Sequence, residues 1–159
     1  RNHGRAPGAK YEHAFWGTNE RMDDIQAAVL SVKLPHLRHW IESRRAHAHA
    51  YSAALKEHCT TPRENPEAYH TYHLYVIQVA NRDAVMKALE ARGIHTGIHY
   101  PIALHNQTGL AGMFRIAGPL TVTERVTPRI LSLPMFAELT EGERRAVIDA
   151  VKHALRDVA

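Results

Sequence analysis

The stretch Tyr72 to Val79 is dense in aromatic and β-branched residues and is apolar on both faces of an extended chain. A segment of that kind is stable as a strand only when other layers cover it on both sides, so it predicts a central strand with helices packed against it. Its surroundings supply those helices. Asn81 is a candidate cap for a helix running through Arg92, and Gly93 is a residue able to end that helix in the left-handed conformation. Ile94, Thr96, Ile98 and Tyr100 alternate with His95, Gly97 and His99, which predicts a second strand that Pro101 stops. Ile130 to Pro134 reads as a short third strand between two helices. Those helices are announced by Thr121-x-x-Glu124 and Thr140-x-x-Glu143, both with capping-box spacing. Val147, Ile148, Val151 and Leu155 give the last helix an apolar face, and Leu37, Ile41, Arg44, Ala48, Tyr51 and Leu55 predict a long helix from about Leu37 to His58. The fold class is α+β, a small and mostly antiparallel sheet packed with helices and preceded by a helical connector.

That connector contains the segment most suggestive of ligand contact. In Gly17-Thr18-Asn19-Glu20-Arg21-Met22-Asp23-Asp24-Ile25-Gln26-Ala27-Ala28, a glycine turn and an asparagine precede a helix whose Ile25, Ala28, Val29 and Val32 share a face. Asp23 and Asp24 sit where the helix dipole favours negative charge. From the residues alone Asn19 has two readings, a helix cap or an amide donor to an anion such as a phosphate ester. Arg21 is either a phosphate-neutralising cation or a surface ion pair. Residues 1–18, with three glycines, a proline and no apolar period, read as an irregular arm that needs a surface to lie on.

The Gly17–Ala28 run resembles the corresponding segment of the DegT/DnrJ/EryC1/StrS aminotransferases. So do Thr96-Gly97-Ile98-His99-Tyr100-Pro101 followed by His105-Asn106-Gln107, and Leu131-Ser132-Leu133-Pro134-Met135, in the same order. The resemblance implies α/β architecture of fold type I, with residues 1–35 an arm and connector from a domain that binds pyridoxal phosphate, and residues 36–159 the C-terminal small domain. It implies that Asn19, with Arg21, binds the cofactor phosphate of the other subunit of a homodimer. His99, Tyr100, His105 and Gln107 would border the nucleotide-sugar pocket. The activity implied is amino transfer, usually from glutamate, to a nucleotide-linked keto-sugar for polysaccharide or antibiotic synthesis. The expected location is the cytoplasm.

A complete transferase of that fold needs roughly two domains' worth of chain, more than 159 residues provide. Arg1-Asn2-His3-Gly4 resembles the loop after the lysine-bearing domain, so the N-terminal half is expected to lie upstream. None of Lys10, Lys33, Lys56, Lys87 and Lys152 matches the family's Schiff-base motif, and the catalytic lysine is therefore expected outside this chain. Two rival readings remain: a sugar dehydratase on the same scaffold, in which a histidine replaces that lysine, and a non-catalytic remnant or interaction domain.

Composition bounds the other classes. Twenty Lys+Arg against sixteen Asp+Glu give +4, and the basic residues are dispersed, which argues against a nucleic-acid footprint. The single cysteine, Cys59, rules out an intrachain disulfide and fits a reducing compartment. No apolar run approaches the roughly 20 residues that span a bilayer. Thirteen histidines invite a metal reading, but His47-x-His49 diverges on a helix, His70-x-x-His73 falls on opposite faces of a strand, and nothing near His36 and His39 completes a tetrahedral set. No metal site is expected.

Overall fold

A computed structural model of the chain describes residues 3–5, 8 and 11–158. Arg1, Asn2 and Lys10, invoked above, lie outside the described residues. The chain falls into two compact units, Arg1–Arg38 and His39–Ala159.

In the first unit the described part of the arm doubles back on itself. Arg5 bridges His13 in antiparallel sense, the His3 N–H donates to the Thr18 carbonyl at 3.0 Å, and the Ala14 N–H donates to the Gly4 carbonyl at 2.8 Å. Two glycines permit this crossing. Gly4 has φ +69°, and a Cβ on it would stand 1.8 Å from the Phe15 carbonyl oxygen; a Cβ on Gly17 would stand 2.3 Å from the Gly4 nitrogen. These bonds satisfy part of the arm's backbone, while its Tyr11, Phe15 and Trp16 side chains stand exposed. Helix α1 follows over Asp24–Lys33, with Asp24 in its first turn and Lys33 in its last, the polarity the macrodipole favours. Its Ile25, Val29 and Val32 are all exposed. Pro35 sits in a short 3-10 turn, Leu34–His36, which joins α1 to α2 rather than breaking the path of the chain.

The second unit holds most of α2 (Leu37–Leu55), then β1 (Tyr75–Gln78), α3 (Arg82–Glu90), α4 (Thr121–Val126), β2 (Ile130–Leu133) and α5 (Glu141–Asp157). β1 and β2 pair antiparallel, with Tyr75 opposite Leu133, Val76 opposite Ser132, Ile77 opposite Leu131 and Gln78 opposite Ile130. Directly opposed residues share a sheet face. Tyr75, Ile77, Leu131 and Leu133 therefore form one apolar face, and all four are buried. Tyr51 and Leu55 of α2, Val85 and Leu89 of α3, and Val147 and Val151 of α5 complete that core. Each large side chain so buried contributes about 1.5–3 kcal/mol.

Three expectations are corrected. The strand read over Tyr72 to Val79 is only four residues long, and its second face, Val76 and Gln78, is half-buried, so the layer over that face is incomplete. The strand read over Ile94 to Tyr100 is reduced to one antiparallel bridge, Gly97 to Ser132, since the residues on either side of Gly97 pair with no strand among the described residues. A matching one-residue bridge, Thr60 to Gln78, lies on the outer side of β1, so single pairs and not full strands flank the sheet. Third, Thr121 does not cap α4: the cap position is Leu120, and no side chain accepts from the free N–H groups. Asn81 does stand at the cap of α3, but in the left-handed region (φ +49°) and without a side-chain capping bond. Gly93 adopts φ +74° after α3, as its position suggested.

At α5 the expected capping box is complete. The Glu143 N–H donates to Thr140 Oγ1 at 3.3 Å, and Glu143 Oε2 accepts from the Thr140 N–H at 2.8 Å. Thr140→Ala should cost about 1 kcal/mol, read as a lowered urea midpoint with an unchanged slope. Thr140→Asn should lose far less.

A clasp that the sequence did not announce ties the loop between α2 and β1 to the helix. Arg45 Nη1 and Nη2 donate to the two Glu64 oxygens at 2.5 and 3.1 Å, Nη1 also donates to the His70 carbonyl at 2.7 Å, and the His70 N–H donates to Glu64 Oε1 at 2.7 Å. The guanidinium lies 4.0 Å from the Tyr69 ring centroid, within cation–π range. The Arg45 hydrogen bonds, followed by the His70 N–H, hold the Glu64 carboxyl down to about 2 from its ordinary 4.5. A depressed carboxyl contributes stability that is present above its unfolded pKa and lost as pH falls through the folded value. The clasp should therefore weaken between pH 4.5 and about 2. Urea unfolding at stepped pH should show this loss, and Glu64→Gln should flatten the profile across that window.

Candidate functional site

Asp23, extended at φ −72° and ψ 148°, is the N-cap residue of α1. Asn19 stands four positions earlier, outside the first helical turn, which removes the capping reading for it. Asn19 and Arg21 are both exposed. The neighbouring Thr18 hydroxyl donates to Glu20 Oε1 at 2.7 Å.

The second candidate cluster is built around the single bridge to β2. The Gly97 N–H donates to the Ser132 carbonyl at 3.1 Å, and the Ser132 N–H donates to the Gly97 carbonyl at 2.7 Å. Two residues on, His99 Nδ1 lies 2.8 Å from Ser132 Oγ. Strand alternation assigned His99 and Tyr100 to opposite faces. Instead their rings meet edge to face, with centroids 5.6 Å apart, because the chain has left the sheet after Gly97 and period-two geometry no longer applies. The peptide between them is cis. Both residues are exposed, Tyr100 by 73%.

His105 lies in a short 3-10 turn, Leu104–Asn106, and Gln107 is the extended residue that follows it. Gln107 is exposed, but the His105 side chain is only 9% exposed and its Nε2 lies 3.5 Å from Glu124 Oε1 of α4. Nε2 makes no hydrogen bond at that distance, so the ring is tucked beside Glu124 with a buried, unpaired nitrogen. Leu104, Met113 and Val122 around this segment are all strongly exposed.

Ser132 was absent from the sequence-derived candidates. Its signal was a lone hydroxyl in the apolar run Ile130 to Leu133; such a residue, once buried, must find a partner. The structure also forms a cleft of about 960 Å³ at the end of α2, lined in part by Lys56, Arg63, Asn81 and Arg129, which includes none of the candidate residues. Cys59 lines it too, but burial pushes its thiol up to about 11, so it is a poor nucleophile at neutral pH. Among the described residues no group of three or more His, Cys, Asp or Glu side chains is arranged to hold a metal ion. No helix among them is long and apolar enough to cross a membrane.

The cofactor implied by the sequence resemblance fits the described residues in part. Asn19 and Arg21 offer an amide and a guanidinium on an exposed extended segment, chemistry suited to a phosphate. A Schiff-base lysine needs a sheltered, tuned position. Lys33, Lys56 and Lys87 are exposed and Lys152 is half-buried, so none has that environment. These residues suit the phosphate end of pyridoxal phosphate and not its reactive end.

Comparison with known proteins bears on the same segments. The chain is 40% identical over 163 aligned positions to a pleiotropic regulatory protein of Geobacillus stearothermophilus, covering 100% of this chain and 43% of that protein. It is 37% identical over 145 positions to a dTDP-3-amino-3,4,6-trideoxy-alpha-D-glucose transaminase of Streptomyces venezuelae, covering 90% of this chain and 38% of that enzyme. Among solved structures it resembles NtdA from Bacillus subtilis with bound cofactor PMP, at a TM-score of 0.81 and 27% identity, covering 97% of this chain and 37% of that one. The chain thus spans about two fifths of the length of the relatives it matches. A model of one family matches residues 1–152, a range that takes in the Gly17–Ala28 segment, the His99–Gln107 segment and both strands, and the chain belongs to the DegT/DnrJ/EryC1/StrS aminotransferase family.

Proposed function

We propose that the complete protein is a pyridoxal-phosphate-dependent aminotransferase acting on a nucleotide-linked keto-sugar, with glutamate as amino donor, and that this chain is its C-terminal portion. The observation that carries this reading is the family match over residues 1–152, joined to the named sugar-nucleotide substrate of the Streptomyces relative. In this reading residues 1–35 are the arm and connector and residues 36–159 the small domain. The enzyme works as a homodimer in the cytoplasm. Pyridoxal phosphate, when bound, supplies an electron sink and carries the amino group between the two substrates.

This chain's own residues bind and orient. Asn19 donates its amide N–H to the cofactor phosphate of the neighbouring subunit, and Arg21 neutralises that phosphate. His99, Tyr100, His105 and Gln107 form part of the wall against the sugar nucleotide. The complete protein should show the visible band of a lysine-bound cofactor, and glutamate alone should bleach it. A non-catalytic role is the second reading, favoured by the regulatory name of the Geobacillus relative. Failure of the complete protein to bind pyridoxal phosphate would establish that reading instead.

The wall assignment has its own check. His99→Ala should raise KM for the keto-sugar by about 2- to 10-fold, the equivalent of one lost hydrogen bond, and leave the glutamate half-reaction unchanged. Equal damage to both half-reactions would move His99 off the sugar wall.

A further inference from the structure

We propose that Ser132 and Gly97 are positioning residues for His99: they hold its ring as the tautomer protonated on Nε2 and so offer Nε2–H as a donor to an oxygen of the sugar-nucleotide substrate. The substrate half of this statement rests on the function proposed above; the tautomer half does not.

Ser132 is central in β2 and 4% exposed, on the sheet face opposite the Tyr75, Ile77, Leu131 and Leu133 core. Its backbone N–H and carbonyl are both engaged by Gly97. Its hydroxyl has one partner among the described residues, His99 Nδ1 at 2.8 Å. Two protonation patterns fit that distance. If Nδ1–H donated to Oγ, the hydroxyl hydrogen would be buried with no acceptor, which forfeits its hydration without return. If the hydroxyl donates to Nδ1, both atoms are satisfied and the ring proton resides on Nε2. The second pattern is the one that leaves no buried hydrogen unpaired.

Gly97 sets where the ring lies. A Cβ on Gly97 would stand 2.8 Å from His99 Cε1, closer than real Cβ contacts come, so the ring rests against a bare Cα. Gly97 is not in the left-handed region, so glycine is needed here for space and not for backbone freedom. The Tyr100 ring meets His99 edge to face at 5.6 Å. His99 itself is exposed, and no described residue bonds its Nε2. A ring fixed in this way presents one N–H outward. Hydroxyl, keto and phosphoryl oxygens, the groups a nucleotide-linked sugar carries in number, are its acceptors.

The test begins with the 159-residue chain labelled with ¹⁵N in its histidine rings and studied where those rings are neutral, the His99 signals being assigned by their loss in His99→Gln. Wild type should show a single Nε2-protonated tautomer at His99, Ser132→Ala should show a mixture, and Ser132→Thr should restore the single form. Gly97→Ala, which leaves the hydroxyl in place, should displace the ring and shift the same signals. An Nδ1-protonated His99 in wild type overturns the proposal even if every variant fails to fold. In the complete enzyme Ser132→Ala should raise KM for the keto-sugar about 2- to 10-fold without altering the glutamate half-reaction. If the tautomer responds as stated and KM does not, the ring seat stands and the substrate half fails with the wall assignment. If Ser132→Ala folds and keeps the wild-type tautomer, the seat itself is wrong.

Discussion

Tyr51→Ala should lower the unfolding free energy of the His39–Ala159 unit by about 3–5 kcal/mol, the usual range for truncating a buried aromatic side chain. Tyr51 is 0% exposed in the middle of α2, and its ring packs on Tyr75 of β1 at 5.1 Å between centroids. Its hydroxyl donates to the Pro134 carbonyl at 3.1 Å, just beyond β2. One side chain therefore joins the long helix to both strands. Tyr51→Phe keeps the ring and drops only the hydrogen bond, so it should cost about 1 kcal/mol. Urea denaturation followed by far-ultraviolet circular dichroism measures both, and equal costs for the two variants would mean that the hydroxyl, not the packed ring, carries the effect. Burial pushes the Tyr51 phenol well above its ordinary pKa of 10.0 and the Tyr75 phenol up to about 12. Neither should ionise in the native unit during a titration to pH 11, a second reading of the same packing.

In the complete enzyme Asn19→Ala should weaken cofactor retention by about 1–3 kcal/mol, or about 5- to 150-fold in dissociation constant, because a charged phosphate oxygen loses its donor. The proposal that this contact crosses between subunits adds a sharper expectation. Mixed dimers of Asn19→Ala with a variant disabled in the lysine-bearing domain should recover one intact composite site and hence partial activity. Equilibrium dialysis of pyridoxal phosphate against Asn19→Ala and wild type measures the first effect. Unchanged retention would leave Asn19 without a role in the cofactor site, since its position outside the first turn of α1 already removes a capping role.

The long elements were legible because their signals are local. Helical spacing from Leu37 to Leu55 marked the face on which Ala48, Tyr51 and Leu55 are in fact buried. The Thr140-x-x-Glu143 box is satisfied within four residues of its own sequence, and Gly93 adopts the left-handed conformation by intrinsic freedom. Thr121-x-x-Glu124 has the same spacing and forms no box, since a six-residue helix gives its cap little to hold in place. The Ile94–Tyr100 alternation failed for a related reason: a strand depends on what pairs with it, and here only Gly97 finds a partner.

The family, the α+β class and the positions of the two candidate segments follow from residue order, because motif spacing and amphipathic period are local properties of the chain. The environment of each candidate arises only on folding. Folding separated Asn19 from the helix cap, tucked the His105 ring beside Glu124 without a hydrogen bond, brought His99 and Tyr100 together and set Ser132 against His99. It also made the Arg45–Glu64 clasp, whose members stand 19 positions apart in the chain. Such contacts join residues distant in sequence through a hydroxyl, a carboxylate or a bare Cα. Each becomes specific only when the chain is folded and water is excluded, since an unpaired polar group then costs free energy that it does not cost in the open chain.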